Sequence, residues 1–212
     1  ANICKKYKVL ILFDSIYAHK TDFNNEPFNF PSEFYPEGTI ITSGLSKTLS
    51  SGGKRLGFIY LPSSLGNLKK AMTSYMSETI SSVDTTLQHA SSYLFNPENF
   101  DDTEKYIEET QKINALMASY LHKRFLEMGL TTPKPKGAFY LFPSFKYYKE
   151  KLKKLGIKTN NDLSRHLLEK LKISCLPAES FGLKPTDLNL RISTQDFNGV
   201  EALKAFKLGV HL

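Results

Sequence analysis

The first third of the chain contains three short apolar runs separated by polar turn residues. Strands are predicted at Lys8–Phe13, Thr39–Ser43 and Gly57–Leu61. The first run, KVLILF, is almost continuously apolar, which is typical of a buried strand in a parallel sheet. The chain is expected to enter this strand within a few residues of Ala1. The segment Thr21–Gly38 is rich in Asn, Pro and Phe and is interpreted as a long surface loop with room for a short helix.

Apolar residues at helical spacing follow the third strand. A helix is predicted over Leu65–Met76, and a second over Thr85–Phe95 with Asp84 as its N-cap. A longer amphipathic pattern over about residues 101–128 predicts a helix that ends at Gly129. A helix of that length could connect two domains.

Beyond the long helix, short strands and helices follow one another without strict alternation. This order favours an α+β fold for the second half of the chain. Asp162 is expected to cap one of the helices. The predicted strands are Ala138–Phe142, Ile173–Leu176 and Leu188–Ile192, and the predicted helices are Asn161–Leu171 and Asn198–Leu208.

The composition is that of a globular protein. The 212 residues are 41% hydrophobic and 12% aromatic, enough for one large or two small domains. No apolar run approaches the roughly 20 residues of a membrane span, and the N-terminus does not resemble a signal peptide. The start at Ala1 rather than at Met is interpreted as the mark of a piece of a longer chain. Cys4 and Cys175 form no C-x-x-C pair, so a reducing compartment such as the cytoplasm is expected.

The net charge of +7 raises the question of a nucleic-acid partner. The lysines are spread along the chain with few interleaved aromatic residues. The densest cluster, Lys146–Lys158, is interpreted as a solvated helix and turn. The five histidines form no metal-binding spacing. We therefore expect neither a nucleic-acid partner nor a metal.

Candidate chemistry concentrates at the ends of the first two strands. Lys47 follows Ser46 in a Ser/Gly-rich loop, and its amine could form a Schiff base with a carbonyl cofactor. Arg55, on the same loop, could hold an anionic group. Asp14 closes the first strand, with Tyr17 three positions later, and the carboxyl ends of strands in open α/β sheets share one crevice. A lysine, a carboxylate, a phenol and an arginine are the groups that pyridoxal phosphate needs.

Each of these residues also has a simpler interpretation. Lys47 taken alone is typical of a solvated surface lysine, Asp14 of a turn or helix cap, and Tyr17 of a half-buried core aromatic. Arg191, in a predicted strand, is either an edge arginine that reaches solvent or a clamp for a substrate carboxylate. A nucleotide phosphate loop is rejected because Arg55, not Ser or Thr, follows the Gly-Lys pair.

Several motifs in order along the chain resemble the class I/II aminotransferases, which share the aspartate-aminotransferase fold of pyridoxal-phosphate enzymes. They are D-x-x-Y at Asp14–Tyr17, S-K-x(7)-R-x-G at Ser46–Gly57, L-R-I-S at Leu190–Ser193, and the stretches Val83–Ala90, Lys136–Pro143 and Phe181-Gly182. The resemblance implies an α/β fold: the rear part of a three-layer large domain over residues 1–100, then an α+β small domain over 101–212. The helix at about 101–128 links the two.

The resemblance also implies a role for each candidate residue. Lys47 would carry the cofactor and move the proton, and Asp14 would pair with the pyridine nitrogen. Tyr17 would hydrogen-bond the ring oxygen, while Ser46 and Arg55 would hold the phosphate. The substrates would be an amino acid and a 2-oxo acid, and the enzyme a homodimer.

Arg191 would bind the α-carboxylate of the substrate. Two positions depart from the family pattern. Gly44 stands where many relatives have a phosphate-binding serine, a role that Ser43 could or could not take over, and Lys54 replaces a common tryptophan. The family's N-terminal half, which supplies the rest of the cofactor site, is expected to be absent from this chain.

Two other functions use the same residues. A lyase or condensing enzyme of the same fold would share Asp14 and Lys47, and turnover of an oxo-acid acceptor would separate it from an aminotransferase. A sensor domain of a transcription regulator would bind the cofactor without turnover. A basic nucleic-acid-binding module is a third alternative, and it predicts salt-dependent affinity.

Overall fold

The computed structural model describes residues 1–18, 23 and 29–209, so much of the predicted loop Thr21–Gly38 lies outside the described residues. The chain forms two compact units, Ala1–Glu109 and Thr110–Leu212. The boundary falls within a helix over Phe100–Glu127, close to the predicted linking helix. The division at residue 100 into a cofactor-binding domain and a small domain stays a prediction.

The first unit contains one three-stranded sheet and several helices. Its elements are α1 (Asn2–Tyr7), β1 (Ile11–Asp14), α2 (Pro31–Phe34), β2 (Thr39–Gly44), β3 (Gly57–Tyr60), α3 (Gly66–Thr79) and α4 (Thr85–Leu94). The strand order is β1-β2-β3, with β1 parallel to β2 and β2 antiparallel to β3. The three predicted strands and the two helices that follow them are confirmed. Asp84 caps α4 as expected, accepting a hydrogen bond from the Leu87 N–H at 2.8 Å.

The start of the chain differs from the prediction, because helix α1 precedes the first strand. The helix ends at Lys8, which has a left-handed φ of 54°. The Val9 N–H donates to the Cys4 carbonyl at 2.9 Å, a bond typical of a helix C-terminus closed by a left-handed residue. Lys5 and Lys6 lie in the last turn, where positive charge interacts favourably with the helix dipole.

The first strand is not buried on both faces, as the apolar run KVLILF had suggested. Ile11 and Phe13 are half-buried, whereas Leu12 is 70% exposed. All four residues of β3 are exposed as well. The buried apolar residues of this unit lie elsewhere and include Tyr35, Leu45 and Ile107.

The second unit is built around a small antiparallel sheet. Its elements are the end of α5 (Phe100–Glu127), β4 (Tyr140–Leu141), α6 (Lys149–Lys154), α7 (Asn160–His166), β5 (Leu176–Pro177), β6 (Leu190–Ser193) and α8 (Gly199–Lys207). The strand order β4-β6-β5 places β6 in the middle. Ile157, Leu163 and Leu190 form the buried core.

Two predicted strands of this unit are much shorter than expected, and the third, predicted over Leu188–Ile192, begins at Leu190 and ends at Ser193. Ala138 has a left-handed φ of 55°, which breaks the extended backbone of the predicted strand Ala138–Phe142 and leaves β4 two residues long. Lys172 has a φ of 60°, and the predicted strand Ile173–Leu176 is reduced to a pairing that begins at Leu176. Such values are rare for residues with a side chain and are not visible in the hydrophobic pattern.

The cap of α7 is Thr159, not Asp162 as predicted. The Thr159 hydroxyl accepts from the Asp162 N–H at 3.1 Å, and the Asp162 carboxylate accepts from the Thr159 N–H at 3.0 Å. The pair therefore forms a reciprocal capping box in which Asp162 takes the third helical position. The helix continues through a π-helical turn over Leu167–Leu171, which confirms the predicted helical segment.

Candidate active site

Lys47 lies in the loop between β2 and β3, and backbone hydrogen bonds close this loop. The Leu45 N–H donates to the Leu56 carbonyl at 3.2 Å, and the Ser51 N–H donates to the Leu45 carbonyl at 3.1 Å. The Ser50 N–H donates to the Lys47 carbonyl at 3.2 Å. Lys47 is half-buried, as is its neighbour Ser46, so the amine is held on an ordered turn and not on an extended arm.

Asp14 and the buried Ser15 lie at the carboxyl end of β1. Ser15 uses both its N–H and its hydroxyl to donate to the Thr42 carbonyl, at 2.8 and 3.0 Å. These bonds tie the end of β1 to β2. Asp14 is exposed, and its carboxylate accepts from the Ile16 N–H at 3.2 Å. The sequence analysis missed Ser15, although a small polar residue directly after a strand is a recognisable signal for a side-chain anchor of this kind.

The structure brings Tyr17 and Lys47 together. The Lys47 Nζ lies 5.9 Å from the centroid of the Tyr17 ring, and both residues are half-buried. Strands β1 and β2 are parallel, with Asp14 opposite Thr42. Asp14, Tyr17 and the loop with Ser46 and Lys47 therefore follow the carboxyl ends of adjacent parallel strands, where open α/β sheets bind ligands.

Arg55 ends a short 3₁₀ helix over Gly52–Lys54 in the same loop. Its backbone has a left-handed φ of 56°, and its side chain is exposed. The Nη1 group donates to the Gly52 carbonyl at 2.9 Å, which turns the guanidinium toward its own loop. A guanidinium carries five N–H donors, so this bond occupies only part of its capacity.

The close contact between β2 and β3 explains the glycine at position 44. A Cβ atom there would lie 2.9 Å from the Leu56 carbonyl oxygen and 3.2 Å from the Gly57 Cα. A serine at this position would therefore need the backbone to shift.

Arg191 belongs to the second unit and lies in the central strand β6, opposite Leu176 of β5. Its side chain is half-buried. The guanidinium carbon lies 4.3 Å from the centroid of the Tyr140 ring and 4.6 Å from that of Phe181. Sequence reasoning assigned no role to these two aromatic residues, although both lie in motifs that carried the family resemblance.

In the part of the chain that the structure describes, no group of three or more His, Cys, Asp or Glu residues could hold a metal ion. In residues 1–18, 23 and 29–209, no helix is both long and apolar enough to cross a membrane. Cys4 and Cys175 are free thiols, and burial raises the pKa of Cys175 above that of an ordinary thiol.

Comparison with known proteins found related sequences that match most of the chain. The model of the family "aminotransferase class I and II" matches residues 1–203. An aspartate aminotransferase of Pyrococcus abyssi is 30% identical over 183 residues, which cover 86% of this chain and 43% of the relative.

Solved structures give the same result for the fold. The aromatic aminotransferase of Pyrococcus horikoshii superposes with a TM-score of 0.73 at 27% identity, over 96% of this chain and 50% of the other. A Thermus thermophilus aspartate aminotransferase double mutant gives a TM-score of 0.77 at 22% identity, over 97% and 49%. The fold is therefore the α/β fold of type I pyridoxal-phosphate enzymes, as the sequence predicted.

The chain belongs to the class I and II aminotransferase family, as residues 1–203 match the family model. It spans about half the length of the curated relatives that it matches.

Proposed function

We propose that this chain forms part of a pyridoxal-phosphate-dependent aminotransferase, which transfers an amino group between an amino acid and a 2-oxo acid. The observation that carries the proposal is the position of the Lys47 amine, 5.9 Å from the Tyr17 ring centroid, on a loop after strand β2. Asp14 follows the adjacent parallel strand.

The residues at this edge of the sheet fit pyridoxal phosphate by the chemistry of their donors. The Lys47 amine suits the aldehyde, and the Asp14 carboxylate suits a protonated pyridine nitrogen. The Tyr17 phenol would bond the ring oxygen. Ser46 and Arg55 would hold the phosphate, for which a guanidinium is well shaped. Gly44 has no room for a side chain, so the phosphate-binding serine that many relatives have is absent from this position.

When bound, pyridoxal phosphate supplies an electron-withdrawing ring that makes the Cα–H bond of an amino acid acidic. Lys47 would hold the cofactor and then accept and return the proton at Cα. Asp14 would keep the pyridine nitrogen protonated. The backbone hydrogen bonds that close the Lys47 loop would keep the amine in place during these steps.

Arg191 would bind the carboxylate that all amino acid and 2-oxo acid substrates share. Relatives named for aspartate and for aromatic amino acids both resemble this chain, so the family leaves the side-chain preference open. We place the enzyme in the cytoplasm as a homodimer. The two free cysteines accord with a reducing compartment, and the dimer follows the family resemblance.

Amino-group transfer can be tested with pyridoxal phosphate and the purified full-length protein that carries this segment. We would supply a panel of amino acids with 2-oxoglutarate as acceptor, and measure both the new amino acid and the new 2-oxo acid. Equal amounts of the two products, absent in the Lys47→Ala variant, are expected. Products of cleavage or condensation would indicate a different enzyme of the same fold, and cofactor binding without any product would indicate a sensor.

A further inference from the structure

The guanidinium of Arg191 lies over two aromatic rings, those of Tyr140 and Phe181. We propose that Tyr140 and Phe181 are positioning residues that hold Arg191 ready to bind a carboxylate. The proposal deepens the proposed function and rests on it, because it concerns the residue assigned to the substrate carboxylate.

The contact geometry favours this role. The guanidinium carbon lies 4.3 Å from the Tyr140 ring centroid and 4.6 Å from that of Phe181. The face of a guanidinium is weakly hydrated and stacks well on aromatic rings, whereas its N–H donors lie in the plane. A cation–π contact is made by the charge of the whole group, and with its five N–H donors the guanidinium can still form two parallel hydrogen bonds with a carboxylate.

Fixing the Arg191 side chain before a carboxylate binds favours the affinity for that carboxylate. An arginine side chain has many rotamers, and fixing them on binding opposes affinity. Arg191 is half-buried in the central strand β6, where it is paired with Leu176 of β5 and the next residue, Ile192, is paired with Leu141 of β4. The two rings restrict the remaining freedom of its side chain before any ligand arrives.

Phe181 is 43% exposed, and one aromatic contact and the short helix that carries it fix its position. It ends a 3₁₀ helix over Ala178–Phe181, and its ring packs edge-on against that of Phe142 at 5.7 Å. Ala178 at the start of the helix is fully buried, and its N–H donates to the Asn189 carbonyl at 3.2 Å. This bond joins the helix to the residue just before β6.

A fully buried amide, that of Asn160, strengthens the same connection. Its Nδ2 donates to the Glu179 carboxylate at 2.7 Å and to the Lys184 carbonyl at 3.0 Å. Its Oδ1 accepts from the Asn189 N–H at 2.8 Å. One side chain therefore links the helix that presents Phe181 to the strand that presents Arg191.

The test measures carboxylate binding separately from turnover. In the holoenzyme, the Nε–H signal of Arg191 would be assigned by NMR with the Arg191→Lys variant and titrated with sodium propionate. Phe181→Leu and Tyr140→Leu should each weaken propionate binding roughly 3- to 10-fold, the loss expected when one rotamer-rich side chain must be immobilised on binding. KM for the amino acid should rise by a similar factor, with kcat little changed.

Conservative and distant variants separate positioning from folding. Phe181→Tyr keeps a ring and should restore the wild-type affinity. Tyr147→Leu removes an aromatic residue that is 75% exposed, and it should change nothing. Thermal unfolding of each variant would identify any that fails to fold. If Phe181→Leu fails to fold, Tyr140→Leu still tests the proposal.

The outcomes distinguish the carboxylate-binding role of Arg191 from the positioning role of the two rings. A wild-type Arg191 signal that does not respond to propionate would overturn the carboxylate role of Arg191, and the positioning role with it. A normal wild-type response with equal affinity in both leucine variants would overturn the positioning role alone. A kcat loss at unchanged KM in those variants would also contradict it.

Discussion

The Nζ of Lys47 lies 5.9 Å from the centroid of the Tyr17 ring, although the two residues follow different strands of the sheet. Tyr17 follows β1, and Lys47 follows β2. Their proximity depends on the parallel pairing of these strands and on Ser15, which bonds the end of β1 to the Thr42 carbonyl. The pairing thus creates a place where an amine, a phenol and the Asp14 carboxylate can act on one cofactor.

Asp14→Asn should keep cofactor attachment but lose most of the turnover. An amide cannot hold the proton that the Asp14 carboxylate would keep on the pyridine nitrogen. Removal of such an electrostatic partner costs about 10²–10³ in rate. Single-turnover kinetics with saturating cofactor would measure the loss, and Asp101→Asn, an exposed carboxylate elsewhere in the first unit, is the control. Near-normal turnover of Asp14→Asn would count against the ring-nitrogen role.

Gly44→Ser should destabilise the protein and should not improve phosphate binding. Its Cβ would lie 2.9 Å from the Leu56 carbonyl oxygen. Because that oxygen belongs to the backbone, the backbone would have to move to make room. Overpacking of this kind costs about 1–3 kcal/mol of unfolding free energy. Gly53→Ser, where a Cβ would meet nothing within 4 Å, should be nearly neutral in the same denaturant titration. Equal stability of the two variants would show that β2 and β3 are not this close.

Asn160→Ala should be among the most destabilising single changes in the second unit. It leaves the Asn189 N–H, the Lys184 carbonyl and the Glu179 carboxylate without their bonds to this amide. Loss of a hydrogen bond of this kind costs about 0.5–1.5 kcal/mol, and three are lost together. Asn161→Ala removes a single exposed bond to Glu179 and should cost far less. A similar loss for both would refute the central place of Asn160.

The capping box of α7 should make stability depend on pH. The Lys158 N–H, followed by the Thr159 hydroxyl, lowers the pKa of Asp162 in the folded state. The unfolded state then binds more protons than the folded state in acid, so the contribution of Asp162 is complete above its unfolded pKa, near 3.9. It is lost as the pH falls through the lower folded pKa.

Comparison of the wild type with Asp162→Asn would test this. The stability difference between the two proteins, measured by denaturant unfolding, should be largest at neutral pH and should shrink as the pH falls below about 4. A difference that stays constant down to pH 2 would contradict the lowered pKa.

Features that follow from local pattern could be predicted from the sequence. The strands at β2 and β3 and the Asp84 cap have short-range signals: apolar runs and a carboxylate before a helix. The family resemblance found the fold because its motifs cover the chain in order.

Features set by backbone strain or tertiary contact could not be predicted in the same way. The left-handed Ala138 shortens a strand whose hydrophobic pattern looks complete. The exposure of Leu12 depends on what covers that face of the sheet, which alternation along one strand does not reveal. The contacts of Arg191 with Tyr140 and Phe181 join three separate segments, so spacing along the chain gave no indication of them.

The most direct test of the proposed function is the site at which pyridoxal phosphate attaches. The full-length protein that carries this segment would be incubated with the cofactor, reduced with borohydride, digested and analysed by peptide mass spectrometry. We predict one modified residue, Lys47, with modification lost in Lys47→Ala and retained in a Lys54→Ala control from the same loop. Modification of Lys54 or any other lysine, with Lys47 left unmodified, would contradict the account.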